Sequence, residues 1–234
     1  MVGILIKRNT FLSDKRKVVF IADGNIEYIK LFSSYGYIVS HNRNEKPDLL
    51  CFTGGADVDP GLYNEITLPL TMTDERRDKR DQLLYKEYPD VPKVGICRGG
   101  QFLNVINGGA MWQHVNNHGL VGGHPIVNLL KVPKLEPFKT VMATSTHHQM
   151  MIAGEEAEII AIAVDNTKEN KGLATRYQSA NSSRKTPEYD TEVVWYEKTR
   201  SLCFQPHPEF GNANIELKNY FHNLIDYLIW GNTK

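Results

Sequence analysis

The 234-residue sequence lacks any long hydrophobic run. Its longest apolar stretches, around Val91–Ile96 and Ile159–Val164, have strand length and fall far short of the ~20 residues that a membrane-spanning helix needs. Net charge is also absent, with 27 Lys plus Arg against 27 Asp plus Glu. No global field therefore draws the chain to nucleic acid or to an anionic membrane. One local basic run, Lys15, Arg16 and Lys17, reads as a solvated loop. Cysteine is scarce: the three residues Cys51, Cys97 and Cys203 are odd in number and show no tight spacing. That argues against a disulfide framework or a zinc site and points to a reducing, cytoplasmic compartment. The N-terminal MVGILIKRNTF has neither the charged n-region nor the long h-region of a secretory signal. It reads as a first strand, Val2 to Ile6.

What is present is an ordinary globular composition, 41% apolar and 23% charged, long enough for one large domain spanning 1–234. Strand-like and helical runs alternate. Lys17–Ile21 is apolar and β-branched, and Asn25–Ser34 carries Ile26, Ile29 and Leu31 at helical spacing. Tyr37–Val39 and Leu49–Phe52 are short strands. Asp74–Tyr88 is charged on most sides, so it is expected as a surface helix anchored by Leu83, Leu84 and Tyr88. Val91–Ile96 is a strand that stops at Cys97, and Gln101–Ile106 is helical. This alternation predicts an α/β fold with a doubly wound, mainly parallel sheet and helices on both faces. From Gly108 to Thr140 no clean period survives, and loops with short hairpins are expected. Glu158–Val164, Gly172–Thr175 and Val193–Glu197 read as antiparallel strands of a small extension. The polar stretch Gln178–Thr191 reads as a mobile loop, and Ala213–Trp230 as a final amphipathic helix.

The chemically informative stretch is Gly95-Ile96-Cys97-Arg98-Gly99-Gly100-Gln101. A strand enters, a glycine-flanked cysteine sits at the turn and a helix leaves, the layout of a nucleophile elbow with sulfur in place of oxygen. Gly95 and Gly99 keep Cβ atoms away from the turn. The helix start favours the thiolate of Cys97 and aims the Arg98 amide at a developing oxyanion. Gln205-Pro206-His207-Pro208-Glu209 follows the strand Ser201–Phe204. His207 and Glu209, two apart in an extended segment, would point the same way, so the carboxylate can fix the imidazole tautomer that serves Cys97. Phe52-Thr53-Gly54-Gly55 offers bare backbone amides, at Gly54 and Gly55, for the second half of an oxyanion hole. Cys51 and Cys203 lie in apolar runs and read as buried core residues.

Five motifs stand in order: FTGGADVDPGLY (Phe52–Tyr63), Arg77-Asp78, GICRGGQFLNVINGGAMWQ (Gly95–Gln113), Ser145-Thr146-His147-His148-Gln149, and Gln205-Pro206-His207-Pro208-Glu209. Together they resemble a class I glutamine amidotransferase domain, in its γ-glutamyl hydrolase branch. That branch includes the γ-glutamyl-γ-aminobutyrate hydrolases and the folate γ-glutamyl hydrolases. The resemblance runs from about Pro47 to about Phe210. It implies a flavodoxin-like fold, a Cys97–His207–Glu209 triad and oxyanion donors at the amides of Gly55 and Arg98. It further implies a γ-glutamyl pocket lined by Gln101, His147, His148 and Gln149. Two positions depart from the pattern: Gly100, where a larger apolar residue is usual and packing is expected to loosen, and Pro206, where an aromatic is frequent. The segment Lys7–Arg16 is short, which leaves the leaving amine unassigned.

The implied chemistry is acyl transfer through a γ-glutamyl thioester, with neither a metal nor an organic cofactor required. The implied partner is a small γ-glutamyl compound or glutamine. The alternative is a glutaminase subunit that feeds ammonia to a separate synthetase. A homodimer is left open.

Overall fold

A computed structural model describes residues 16–231 apart from 24, 43, 132–138 and 166–171. The expected first strand, Val2–Ile6, lies outside the described residues, as does Lys15 of the basic run. The helices begin where side chains can take up their unpaired N–H groups. Asn25 accepts from Glu27 N at 2.9 Å ahead of α1 (Ile26–Ser34), and Asp74 accepts from Arg77 N at 3.1 Å ahead of α2 (Glu75–Glu87). Asn214 does the same from Leu217 N at 2.7 Å for α4 (Ile215–Leu224), which continues into a π-helical turn over Ile225–Ile229. The third helix, α3 (Arg98–Ile106), has Cys97 at its N-cap position and no side-chain cap.

The main sheet is built from β1 (Val18–Ile21), β2 (Ile38–Ser40), β3 (Leu49–Phe52), β4 (Lys93–Ile96), β7 (His124–Asn128), β8 (Thr140–Ala143), β10 (Glu158–Ala163), β12 (Asp190–Tyr196) and β13 (Ser201–Phe204). Their spatial order is β2-β1-β3-β4-β13-β12-β10-β7-β8. The first five are mutually parallel, and from β13 onward each pairing is antiparallel. The antiparallel part is thus four strands of the same sheet, larger than the small extension the sequence suggests. β8 and the short β9 (Met150–Ile152) supply residues that the sequence reading left unassigned. β9 pairs with β5 (Ala110–Trp112), and β6 (His114–Val115) with β11 (Tyr177–Gln178). Gly172–Thr175 is not a strand: the ladder instead begins at Tyr177.

Alternate residues of the central strands enter two separate clusters. Val19, Ile21, Leu49, Cys51, Val94, Ile96, Leu202 and Phe204 pack with α1 and α4. Phe20, Leu50, Phe52 and Cys203 pack with α2 and α3. A strand buried on both faces reads as a continuous apolar run, which is why KVVFI, LLCF and SLCF were legible.

The face of α2 that packs inward differs from the expected one. Leu84 is buried, but Leu83 is exposed and the buried positions include Asp78 and Asp81. Both carboxylates pair with the guanidinium of Arg98, itself wholly buried at the head of α3. The polar segment after β11 is also anchored rather than loose. The Glu65 carboxylate accepts from Ser179 Oγ at 2.7 Å, Ala180 N at 3.1 Å and Gln113 Nε2 at 3.0 Å, and pairs with Arg184 at 2.8 Å. Among the described residues no helix is long and apolar enough to cross a membrane.

Candidate active site

Cys97 has φ 52° and ψ −115°, outside the ordinary regions for a side-chain-bearing residue. The surroundings impose that strain. A Cβ on Gly95 would lie 2.2 Å from the Gly99 carbonyl oxygen, and one on Gly99 would lie 2.1 Å from that of Phe52. Only glycine lets β3, β4 and α3 approach this closely. Gly100 does not loosen the helix start as expected. A Cβ there would sit 2.8 Å from Phe204 N, so the missing side chain is used to seat α3 directly on β13.

β4 and β13 are adjacent parallel strands with Ile96 opposite Phe204, and the Cys97 amide donates to the Phe204 carbonyl at 2.8 Å. The residues that follow each strand therefore emerge side by side. His207 lies beyond the end of β13, and Pro208 and Glu209 form a turn rather than an extended strand. That turn, not strand alternation, brings Glu209 Oε1 to 2.6 Å from His207 Nδ1. Thr144 Oγ1 accepts from His207 N at 2.7 Å, and Phe210 stacks on the imidazole with ring centroids 4.2 Å apart. Burial disfavours the charged imidazole, but its hydrogen bond and charge interaction with Cys97, then those with Glu209, outweigh it and push His207 up to about 10.

The glycine pair above Cys97 divides in role. Gly54 N donates to Tyr28 Oη at 2.9 Å, so this amide is already engaged and is not a free oxyanion donor. Burial, then the Glu209 carboxylate, pushes the Tyr28 hydroxyl up. A Cβ on Gly54 would meet His207 Cε1 at 2.9 Å. Gly55, at φ 149°, leaves room for Arg77, whose Nη1 lies 1.9 Å from where a Cβ would stand. Arg77 Nη2 in turn donates to the Thr53 carbonyl at 2.7 Å and to its hydroxyl at 2.9 Å. The Arg98 amide occupies the first position of α3, where N–H groups have no acceptor within the helix. Its side chain is turned away into the Asp78 and Asp81 pairing.

A cleft of about 340 Å³ brings together Gly55, Asp57, Cys97, Gln101, His148 and Gln149. Gln101 Nε2 donates to Gln205 Oε1 at 3.0 Å, and Gln149 Nε2 to the Gln113 carbonyl at 3.3 Å. His148 is half-exposed and pairs with Asp57 at 3.2 Å; that hydrogen bond raises its basicity. His147 contributes to the cleft wall, but its ring is buried, bonded through Nδ1 to the Gln149 carbonyl at 2.8 Å. Burial lowers its pKa. Tyr28, Thr144 and Asp57 are site residues the sequence reading left without a role. Asp57 lies inside the FTGGADVDPGLY stretch, whereas Tyr28 and Thr144 stand in segments with no local signature. Cys51 and Cys203 are buried in the core, and burial pushes both thiols well up.

Residues 39–178 match the family model described as peptidase C26. The glutamine amidotransferase-like protein YvdE of Lactococcus lactis subsp. lactis is 40% identical over 72 residues, which is 30% of this chain and 30% of that protein. The match thus spans under a third of that relative. Among solved structures, a glutamine amidotransferase from Thermotoga maritima superposes with TM-score 0.56 at 15% identity, covering 94% of this chain and 86% of that one. PurLQS from the same organism superposes with TM-score 0.58 at 12% identity, covering 91% and 99%. At these identities the likeness is one of fold.

Proposed function

The chain belongs to the peptidase C26 family, and from that premise we propose that it hydrolyses a γ-glutamyl amide with Cys97, His207 and Glu209 as its triad. One observation carries the reading. A strained cysteine at a helix head stands beside a histidine whose Nδ1 is held by a carboxylate at 2.6 Å. This is nucleophile, base and orienter in one line. The strand order β2-β1-β3-β4-β13 supports a flavodoxin-like, doubly wound reading, in which ligands bind beyond the carboxyl ends of the strands, where Cys97 and His207 stand.

In the proposed reaction the Cys97 thiolate attacks the γ-carbonyl carbon and forms the C–S bond. Negative charge moves to the carbonyl oxygen, which the Gly55 and Arg98 amides receive. The C–N bond then breaks as the His207 imidazolium gives its proton to the departing amine. His207, neutral again, takes a proton from water as the water oxygen attacks the thioester. Glutamate leaves and the thiolate returns. Across the cleft, Asp57 is the carboxylate suited to the substrate's α-ammonium, with His148 and Gln101 suited to its α-carboxylate. Glu209 keeps the imidazole upright throughout, and Tyr28 steadies the Gly54 backbone.

Glutamate release from a panel of γ-glutamyl amides, free glutamine included, tests the reading with Cys97→Ala as control. Turnover of a γ-glutamyl amide that is lost in Cys97→Ala supports it. No release from any member, with the wild type folded, overturns it. The amidotransferase-like relative favours a second reading, a glutaminase subunit serving a separate synthetase. Turnover confined to glutamine and raised by an added synthetase distinguishes that case.

A further inference from the structure

Behind the wall of the cleft, four side chains from distant parts of the chain converge in the interior. They are His118 from the loop after β6, His124 at the start of β7, His147 ahead of β9 and Glu192 in β12, all buried. One donor atom from each lies within 4.8 Å of the others. Glu192 Oε1 stands 3.4 Å from His118 Nδ1, 3.1 Å from His124 Nε2 and 3.6 Å from His147 Nε2. A tetrahedral ion with bonds of roughly 2.0 to 2.1 Å needs ligand-to-ligand edges of about 3.3 Å.

For His147 and His118 the hydrogen bonds on the far sides of the rings set which nitrogen faces inward, while His124 has an unpartnered Nδ1 there and bonds Glu192 Oε1 through Nε2 at 3.1 Å. His147 Nδ1 bonds the Gln149 carbonyl oxygen at 2.8 Å, an acceptor only, so Nδ1 carries the hydrogen and Nε2 keeps its lone pair. His118 Nε2 bonds Asp190 Oδ2 at 2.8 Å, which leaves the lone pair on Nδ1 in the neutral ring. Asp190 is itself fixed by Tyr177 Oη at 2.7 Å and Ala174 N at 2.9 Å. His118 Nδ1, His147 Nε2 and Glu192 Oε2 have no hydrogen-bond partner. With both rings neutral, two imidazole lone pairs therefore point at a buried carboxylate. Lone pair against anion in a dry interior is repulsive, and a cation between them turns every contact favourable.

We propose that His118, His124, His147 and Glu192 form a closed structural site for one zinc ion. Three imidazoles and one carboxylate are a zinc donor set, and four protein ligands leave no open position, the mark of a structural rather than a catalytic ion. The Asp190–His118 pair and the Gln149 carbonyl on His147 are the outer partners such ligands use. The ion would staple the segment that continues into His148 and Gln149 to β7 and β12, holding one wall of the cleft from behind. Scarce cysteine is no guide here, because every ligand is nitrogen or oxygen and they spread from 118 to 192.

A proton is the competing occupant. Burial opposes it, but the hydrogen bond to Asp190 and the Glu192 carboxylate beside the ring prevail and push His118 up to about 9. Metal content and Zn²⁺ uptake decide between the two. The chain carrying Cys97→Ser, which removes the cleft thiol as a ligand, is unfolded and refolded with either EDTA or Zn²⁺ and then dialysed against EDTA. Expected are one equivalent of zinc retained after refolding in Zn²⁺, a higher thermal midpoint than the EDTA-refolded chain, and at least tenfold weaker retention in His124→Ala and Glu192→Gln. If those variants do not fold, Co²⁺ refolded into the Cys97→Ser chain gives the answer: intense visible bands of a tetrahedral site support the proposal, and weak octahedral bands overturn it. A folded chain that retains no zinc overturns it too, as does uptake undiminished in the folded variants.

Discussion

Replacing Gly99 by alanine separates a helix-propensity effect from a packing effect of opposite sign. Gly99 lies in the first turn of α3, and in a helix interior alanine is favoured over glycine by about 1 kcal/mol. Against that, the new Cβ would stand 2.1 Å from the Phe52 carbonyl oxygen and 2.4 Å from its carbon. Both atoms belong to the backbone of β3, which pairs with β1 and β4 and cannot swing aside like a side-chain tip. Overpacking costs typically 1–3 kcal/mol, and a backbone-to-backbone clash belongs at or above about 3 kcal/mol. The net expectation is a loss of about 2 kcal/mol. With a urea slope of about 2 kcal/mol per M, the midpoint falls by about 1 M. Gly100→Ala, whose Cβ meets Phe204 N at 2.8 Å, is expected to lose less. Gly119→Ala, with nothing within 4 Å, is expected to hold its midpoint or gain slightly. Urea unfolding followed by far-UV circular dichroism measures all three. A Gly99→Ala midpoint equal to or above the parent's would refute the close-approach account of the elbow.

Three further outcomes follow from other sites. Burial lowers His222 to about 3 from its ordinary 6.5, so the unfolded chain takes up the proton first, and stability is whole above pH 6.5 and drains as pH falls toward 3. The full effect is at most about 5 kcal/mol; His222→Phe should flatten the acid limb of a thermal-midpoint profile, and an unchanged limb counts against this. Arg98→Met strands Asp78 and Asp81 in the interior and is expected to cost about 3–5 kcal/mol, with part recovered in Arg98→Met/Asp81→Leu. A loss below about 1 kcal/mol in chemical denaturation contradicts that pairing. Tyr28→Phe removes the acceptor for Gly54 N, so we expect about 1 kcal/mol lost and kcat down by about tenfold with KM little changed; unaltered kcat would leave Tyr28 with a packing role only.

Much of the frame was legible because both faces of the central strands are buried. LLCF needed no partner information to be placed as β3, and Asn25, Asp74 and Asn214 mark helix starts by their own side chains. The elbow was legible for the same local reason: its glycines and cysteine are consecutive. What escaped depends on distance along the chain. Asp78 and Asp81 look like solvent-facing charges until Arg98 is brought to them, and Glu65 gathers the 179–184 segment from more than a hundred residues away. β8 is four residues long, and β9 only three, too few for a period to show. The His207–Glu209 contact was expected, but the backbone that makes it is a turn held by Thr144 rather than a strand.

Cys97 and His207 follow the ends of β4 and β13, so their spacing is inherited from a hydrogen-bonded ladder and not from a flexible crossing. That makes the site modular for engineering. Segments that shape the leaving-group side can be exchanged by grafting while sulfur and imidazole keep their separation. A graft that slid β13 by one residue against β4 would carry His207 away by about 3.3 Å, and no loop redesign would restore it. Selection for altered substrates should therefore accumulate changes around the cleft and leave the ladder alone.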